Sequence, residues 1–291
     1  MKSLNRSKSA EHSIRFILLF FVIALFARVA DSLLLRTDES IIGELFTHKL
    51  FGIALMGWAV YHLHIKWRDI GFNCKRFGKG IIIGLELGVP VYTIAYATEY
   101  VVGLAAGESP SLQFFTTSYN VTGNTEMQSG MLFVLICIVG NIINVIMEDG
   151  VFRGLFLRVM EDKLAFTKSM LFSSALFGIW HGIMPLRNYL SGEQSGGGAM
   201  MSALMLVLTS FIFGVVLCLL CKSEGSLWAG MTTHFINNAS VNLLHIVTSS
   251  GTDTMQTMRI SIAQTILFVV VAIWYARKYR KQKRSNTFDT I

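Results

Sequence analysis

Glu148, Asp149 and Arg153 lie in the stretch IMEDGVFRGLFLR (146–158), directly after a long run of Ile, Leu and Val. A charge at membrane depth costs about 2.5–3.5 kcal/mol on insertion scales, so such groups are rare and usually functional. Asn141, Asn144 and Glu148 follow i, i+3, i+7 spacing and share one stripe of a helix. Asp149 and Arg153, at i, i+4, fall on a neighbouring stripe and neutralise each other. Glu148, turned about 100° from Asp149, is left facing what the Asn stripe faces. Further on, FGIWHG sets Phe177 and His181 at i, i+4, with Ser174 one turn earlier. GSLWAGMTTHFINNASVN sets His234, Asn238 and Asn242 on one stripe, with Asn237 beside it.

A carboxylate shielded from water is a stronger base than one in water, and with an imidazole it activates a water molecule for attack on a carbonyl. A second His and an Asn are donors of the kind that stabilise a developing oxyanion. Together these groups suit water-mediated amide hydrolysis inside a membrane. The same Glu148, His181 and His234 also make up a His2Glu zinc set with a metal-bound water. No H-E-x-x-H occurs, so zinc ligands would have to come from separate helices. There is no G-x-G-D for an aspartyl pair and no G-x-S-G for a serine nucleophile.

Most membrane His and Asn residues do something plainer, an interhelical hydrogen bond worth about 0.6 kcal/mol. Asn141 and Asn144 are read that way. Arg28 and Asp31, at i, i+3, read as a self-neutralising pair, and Glu86 is a lone carboxylate. His48, His62, His64 and His245 have no matching partners in the sequence. What sets Glu148, His181 and His234 apart is their presence on three apolar segments at compatible depth. At about 1.5 Å per residue, His234 lies roughly 12 Å inside the cytoplasmic end of its span, and Glu148 and His181 roughly 15–20 Å. The expected cavity therefore sits between mid-membrane and the cytoplasmic leaflet.

The elements that must position these residues are apolar spans. Of the 291 residues, 53% are hydrophobic and 15% charged, against roughly 45–50% and about 25% in soluble domains. The fold class expected is all-α, a polytopic integral membrane helical bundle forming one domain over 1–291, with its catalytic core at about 130–245. Eight spans are read near 14–35, 41–64, 79–104, 130–157, 167–189, 199–221, 226–248 and 259–276. The first is read as a retained span, because it is long and lacks a small-residue cleavage site. Gly150 and Gly154 form a small-xxx-small patch suited to close helix approach.

The net charge of +7 is concentrated at the termini and in alternate loops, which excludes nucleic acid as a partner. Lys and Arg gather in the N-terminus, in 66–79, in 158–168, at Lys222 and in the tail, while the other loops hold only Arg36, Arg187 and Arg259. The positive-inside rule then puts both termini in the cytoplasm, in agreement with an even number of spans. The loop at 107–130 lies outside by that rule, and its Asn120-Val121-Thr122 matches a glycosylation sequon. Cys218 and Cys221 form a C-x-x-C at the end of a span with no second pair, so they read as packing.

Three blocks carry a resemblance: Glu148-Asp149-Gly-Val-Phe-Arg153, Phe177-Gly-Ile-Trp-His181 and His234-Phe-Ile-Asn-Asn238. In order and on successive spans, they resemble the E-E-x-x-x-R, F-x-x-x-H and H-x-x-x-N blocks of the CPBP family. These are the CAAX-protease and bacteriocin-processing membrane proteins, formerly grouped as abortive-infection proteins. The resemblance covers mainly 130–245. It implies an intramembrane endopeptidase of the cell membrane, acting near the membrane surface on membrane-associated peptides or proteins within the lipid bilayer. In bacteria its setting would be the plasma membrane. By carry-over, Glu148 with His181 activates water and His234 with Asn238 holds the oxyanion. Asp149 and Arg153 support the catalytic helix, and Phe177 sets the rotamer of His181. The resemblance implies no cofactor, with zinc held by Glu148, His181 and His234 as the alternative. The family's second Glu is Asp149 here, one methylene shorter. Outside enzymes, a non-catalytic immunity or scaffold protein and a proton-coupled transporter are the rival readings.

Overall fold

An apolar run that crosses a bilayer must satisfy its own backbone groups, and a helix does so within one segment. The computed structural model obeys that constraint over residues 2–39, 45–116 and 130–288, which are the residues described. The helices are α1 (Lys2–Ala30), α2 (Thr47–His62), α3 (Phe77–Ala105), α4 (Met131–Asp149) and α5 (Leu157–Glu161). They continue as α6 (Phe166–His181), α7 (Ile183–Leu190), α8 (Gly196–Glu224), α9 (Trp228–Leu243) and α10 (Gln256–Phe288). The helical membrane bundle read from the sequence is what the chain forms. The sequon at 120–122 lies outside the described residues.

Among the described residues, 6 stretches are long and apolar enough to cross a membrane. They are Glu11–Leu35, Cys74–Ala105, Met131–Glu161, Phe166–Leu190, Gly196–Glu224 and Gln256–Arg280. The expected spans at 41–64 and 226–248 are instead α2 and α9, of 16 residues each. Such a helix is about 24 Å long, short of a hydrocarbon core of about 30 Å. Both pack onto α4, and α9 also lies against α3 and α8.

The chain after α9 does not continue as helix. Leu244–Thr248 is a strand, β2, paired antiparallel with β1 (Ser111–Phe114) and β3 (Gly251–Thr252). Leu112 pairs with Ile246, and Ile246 is buried in the core. The run LHIVT is rich in residues that favour a half-buried pleated surface, so strand overrides the helical period expected there.

Glycines set the closest helix contact. A Cβ on Gly80, Gly84 or Gly88 would come within 2.4, 2.4 and 2.6 Å of Trp228, Thr232 and Ile236 respectively. Both series advance by four, so α3 and α9 run side by side in the same direction with backbones nearly touching.

One end of the bundle gathers basic residues. Arg76 donates to the Glu224 carbonyl, while Lys79 and Lys278 lie 3.1 and 3.2 Å from the Glu224 carboxylate. Lys222 pairs with Glu161, and Trp228 donates to the Asn73 carbonyl. The starts of α3 and α9 and the ends of α5 and α8 therefore share this end.

Candidate active site

α4 runs on from Asp149 into a π-helical turn, Gly150–Phe156, before α5 begins. Such turns are wide and recur at functional sites. A Cβ on Gly150 would lie 2.8 Å from Met56 Sδ, and one on Gly154 would lie 2.7 Å from the Ile70 carbonyl oxygen. The small-residue patch is thus where α2 and the loop after it press onto the π-helical turn that follows α4.

Glu148 is buried and surrounded by donors. Trp180 Nε1 donates to its Oε1 at 3.0 Å and the Asn144 amide donates to its Oε2 at 3.2 Å. Arg28 lies 3.6 Å from Oε1, and His234 Nε2 lies 3.7 Å from Oε2. Asp149 sits 3.3 Å from Arg153, the pairing their spacing predicts, and its other oxygen is 3.3 Å from His234 Nδ1. His234 therefore stands between two consecutive carboxylates.

Aromatic packing fixes the two imidazoles. The Arg153 guanidinium lies 3.7 Å from the Phe177 ring centre, and Phe177 meets His181 and His234 edge-on at 4.6 and 6.1 Å. His181 Nδ1 donates to the Phe177 carbonyl at 2.8 Å, which leaves Nε2 as the nitrogen available to the cavity. The Asn237 amide donates to Asn238 Oδ1 at 2.8 Å, and Tyr92 donates to Asn237 in turn. Asn238 itself lines the cavity.

Glu148, His181, His234 and Asn238 line one cavity of about 570 Å³, which Asp149 does not reach. No direct hydrogen bond joins Glu148 to His181 among the described residues; the direct partners of Glu148 are Trp180, Asn144, Arg28 and His234. The pair expected between Arg28 and Asp31 is also absent. Arg28 turns to Glu148, whereas Asp31 accepts from the backbone and ring of His48 at 2.9 and 2.8 Å. In low dielectric each buried charge takes the partner that satisfies it best, and across-helix partners cannot be read from spacing along one helix.

The cavity extends past Asp38, Pro185, Met201 and Gln256, at the bundle end opposite the basic cluster. α6 ends at His181 and hands over to the short α7, so the space above the imidazoles is roofed by α7 and the starts of α8 and α10.

Several other residues fall away from the site. Ser174 packs on α8, where a Cβ at Gly214 would sit 3.1 Å from it. Asn141 bonds Cys137 Sγ at 3.6 Å, His62 stacks on Trp58, and Glu86 and His64 are exposed. Cys218 and Cys221 are unpaired thiols. His245 is instead part of a buried network at the cavity's outer end. Its Nδ1 is 2.6 Å from Asp253 and its Nε2 donates to the Phe115 carbonyl at 3.1 Å. Arg259, fully buried, bonds Asp253 at 3.0 Å and Glu99 at 2.9 Å. Burial alone would push the Asp253 carboxyl up, but the hydrogen bond from His245 and the Arg259 charge hold it below the usual range.

Among the described residues no three His, Cys, Asp or Glu side chains are gathered as metal ligands.

Residues 130–240 match the family model described as type II CAAX prenyl endopeptidase Rce1-like. No curated protein matches the chain. The matched segment contains every one of Glu148, Asp149, Arg153, Phe177, His181, His234 and Asn238. Over that segment, this multi-pass helical membrane protein is similar to the CAAX-protease family.

Proposed function

We propose that the chain is an intramembrane endopeptidase that hydrolyses peptide bonds with a water molecule activated by Glu148 and His181. The observation that carries this reading is the convergence of Glu148, His181, His234 and Asn238 from three helices on one cavity. Glu148 and the unanchored Nε2 of His181 hold the water and take its first proton. His234, set between Glu148 and Asp149, and the amide of Asn238 donate to the carbonyl oxygen as it gains charge. Asp149 and Arg153 hold the helix and the His234 ring and do not touch substrate. Asp149 is short enough to meet Arg153 and long enough to reach His234, so the replacement of the family's second Glu leaves the proposed chemistry intact.

The substrate is a membrane-associated peptide or protein. The family's description names prenylated C-terminal peptides, so a fluorescence-quenched prenylated peptide is the first probe, with its unprenylated twin beside it. If the basic end of the bundle is cytoplasmic, the cavity receives its substrate from the opposite side of the membrane. The test of the reaction compares the membrane and secreted peptides of cells carrying wild-type and Glu148→Gln protein. Cleavage products confined to the wild type are expected, as is loss of cleavage in Glu148→Ala, His181→Ala and His234→Ala. Full activity in Glu148→Ala sinks the mechanism.

A further inference from the structure

Peptide hydrolysis moves two protons. The attacking water loses one as it bonds to the carbonyl carbon and the second as the tetrahedral intermediate becomes a carboxylate. Both finish on the leaving nitrogen, the C–N bond electrons going with it. Glu148 is poorly placed to hold both in turn, because Trp180 and Asn144 already donate to its two oxygens and Arg28 stands beside it.

A third imidazole, with the right surroundings, stands on the same cavity, outside the segment that matches the family. His48, at the start of α2, is 3% exposed. Its Nδ1 donates to Asp31 Oδ2 at 2.8 Å. Asp31 is an acceptor throughout: it also takes the His48 backbone N–H at 2.9 Å and the Thr37 hydroxyl at 2.7 Å. This fixes the proton on Nδ1 and the lone pair on Nε2. Among the described residues, Nε2 is buried with no hydrogen-bond partner. The ring lies 5.7 Å from that of Trp180, the indole that holds Glu148. An imidazole oriented by a carboxylate, with its other nitrogen open, is the arrangement by which proteins build a proton acceptor.

We propose that His48, backed by Asp31, is the second proton carrier of this site. Its Nε2 accepts the second proton of the attacking water as the intermediate collapses, Asp31 balances the imidazolium so formed, and Nε2 then yields that proton to the departing amine. The charged groups facing His48 are Asp31, Arg28, Lys49 and Glu148. The inference rests on the hydrolase reading above, yet the two fail differently. Cleavage by Glu148→Gln removes the hydrolase reading, whereas the state of the His48 ring is measured without substrate.

The first measurement is the ¹⁵N-histidine spectrum of the full-length protein in detergent, with His48→Gln identifying the signal. A neutral ring protonated on Nδ1, gaining a proton on Nε2 on acidification, is expected. A ring protonated on Nε2, or one that never takes the second proton, overturns the proposal. The second measurement is kinetic, on the quenched prenylated peptide. His48→Gln and Asp31→Asn lose about 10²–10⁴-fold in kcat, the usual worth of a positioned proton carrier, with KM little changed. The wild-type pH profile loses one ionisation in both variants, and added imidazole restores part of the rate to His48→Ala. A merely structural His48 would give an unchanged pH profile and no rescue, and either result overturns the proposal.

Discussion

Asp149 decides how far the charges of α4 were legible in the sequence. Its pairing with Arg153 follows from i, i+4 spacing, and the structure has it at 3.3 Å. Its second contact, with His234 Nδ1, crosses between helices and left no mark in the spacing. Arg28, Trp180 and His48 were illegible for the same reason: each meets its partner across a helix interface, and single-chain periodicity carries no interface. Removal of Asp149 is informative because Arg153 is 2% exposed. Asp149→Ala strands that buried guanidinium and should cost about 3–5 kcal/mol of stability, read by chemical unfolding in detergent. Asn238→Ala has a different signature. It should leave stability nearly unchanged while slowing cleavage by about 10²–10³, the loss typical of one oxyanion donor. A melting shift in Asn238→Ala as large as that in Asp149→Ala would assign the amide to packing.

At the scale of elements, the apolar runs gave the long helices to within a few residues, because a span's length is set by the bilayer. The π-helical turns and the strand at Leu244–Thr248 were not legible. A π turn keeps the composition of the helix it interrupts, and the LHIVT run is strand only because β1 lies beside it. The glycine patch was legible and yields a sharp contrast. Gly154→Ala drives a methyl against the Ile70 carbonyl, a backbone atom with little room to move, and should cost about 1–3 kcal/mol. Gly78→Ala, in α3 with nothing within 4 Å, should be neutral or stabilise by about 0.5–1 kcal/mol through helix propensity. Equal melting temperatures for the two variants would remove Gly154 from the helix contact. The sheet carries its own pH prediction. The Asp253 carboxyl lies below its ordinary value of 3.8, so the unfolded segment binds the proton more tightly than the folded one. Its contribution is complete above that ordinary value and is lost as pH falls through the lower, folded one. Hydrogen exchange at β2 amides, corrected for the intrinsic rate, should show protection falling on acidification below the usual carboxylate range. In Asp253→Asn the acid dependence should vanish.

The whole molecule turns on which end faces the cytoplasm, since that end fixes where substrate enters. The basic residues counted along the sequence do converge on one end, through Arg76, Lys79, Lys222 and Lys278. Two of the three exceptions prove to be paired: Arg187 with Asp38, and Arg259 with Glu99 and Asp253, both at the other end. Beyond the imidazoles the cavity is lined by residues of the end away from the basic cluster. Nature has left a reporter in Cys74, exposed at the start of the segment leading into α3, whereas Cys137 and Cys218 are buried and Cys221 half-buried. A charged maleimide that cannot cross membranes should therefore label Cys74 only after the cells are opened. In a Cys74→Ser background, Gly197→Cys, exposed at the start of α8 with nothing within 4 Å, should be labelled in intact cells. The reverse pattern would turn the cavity toward the cytoplasm and make its substrates cytoplasmic. Both sites labelled in intact cells would mean that the two ends share one side, which the single-pass reading of α8 forbids.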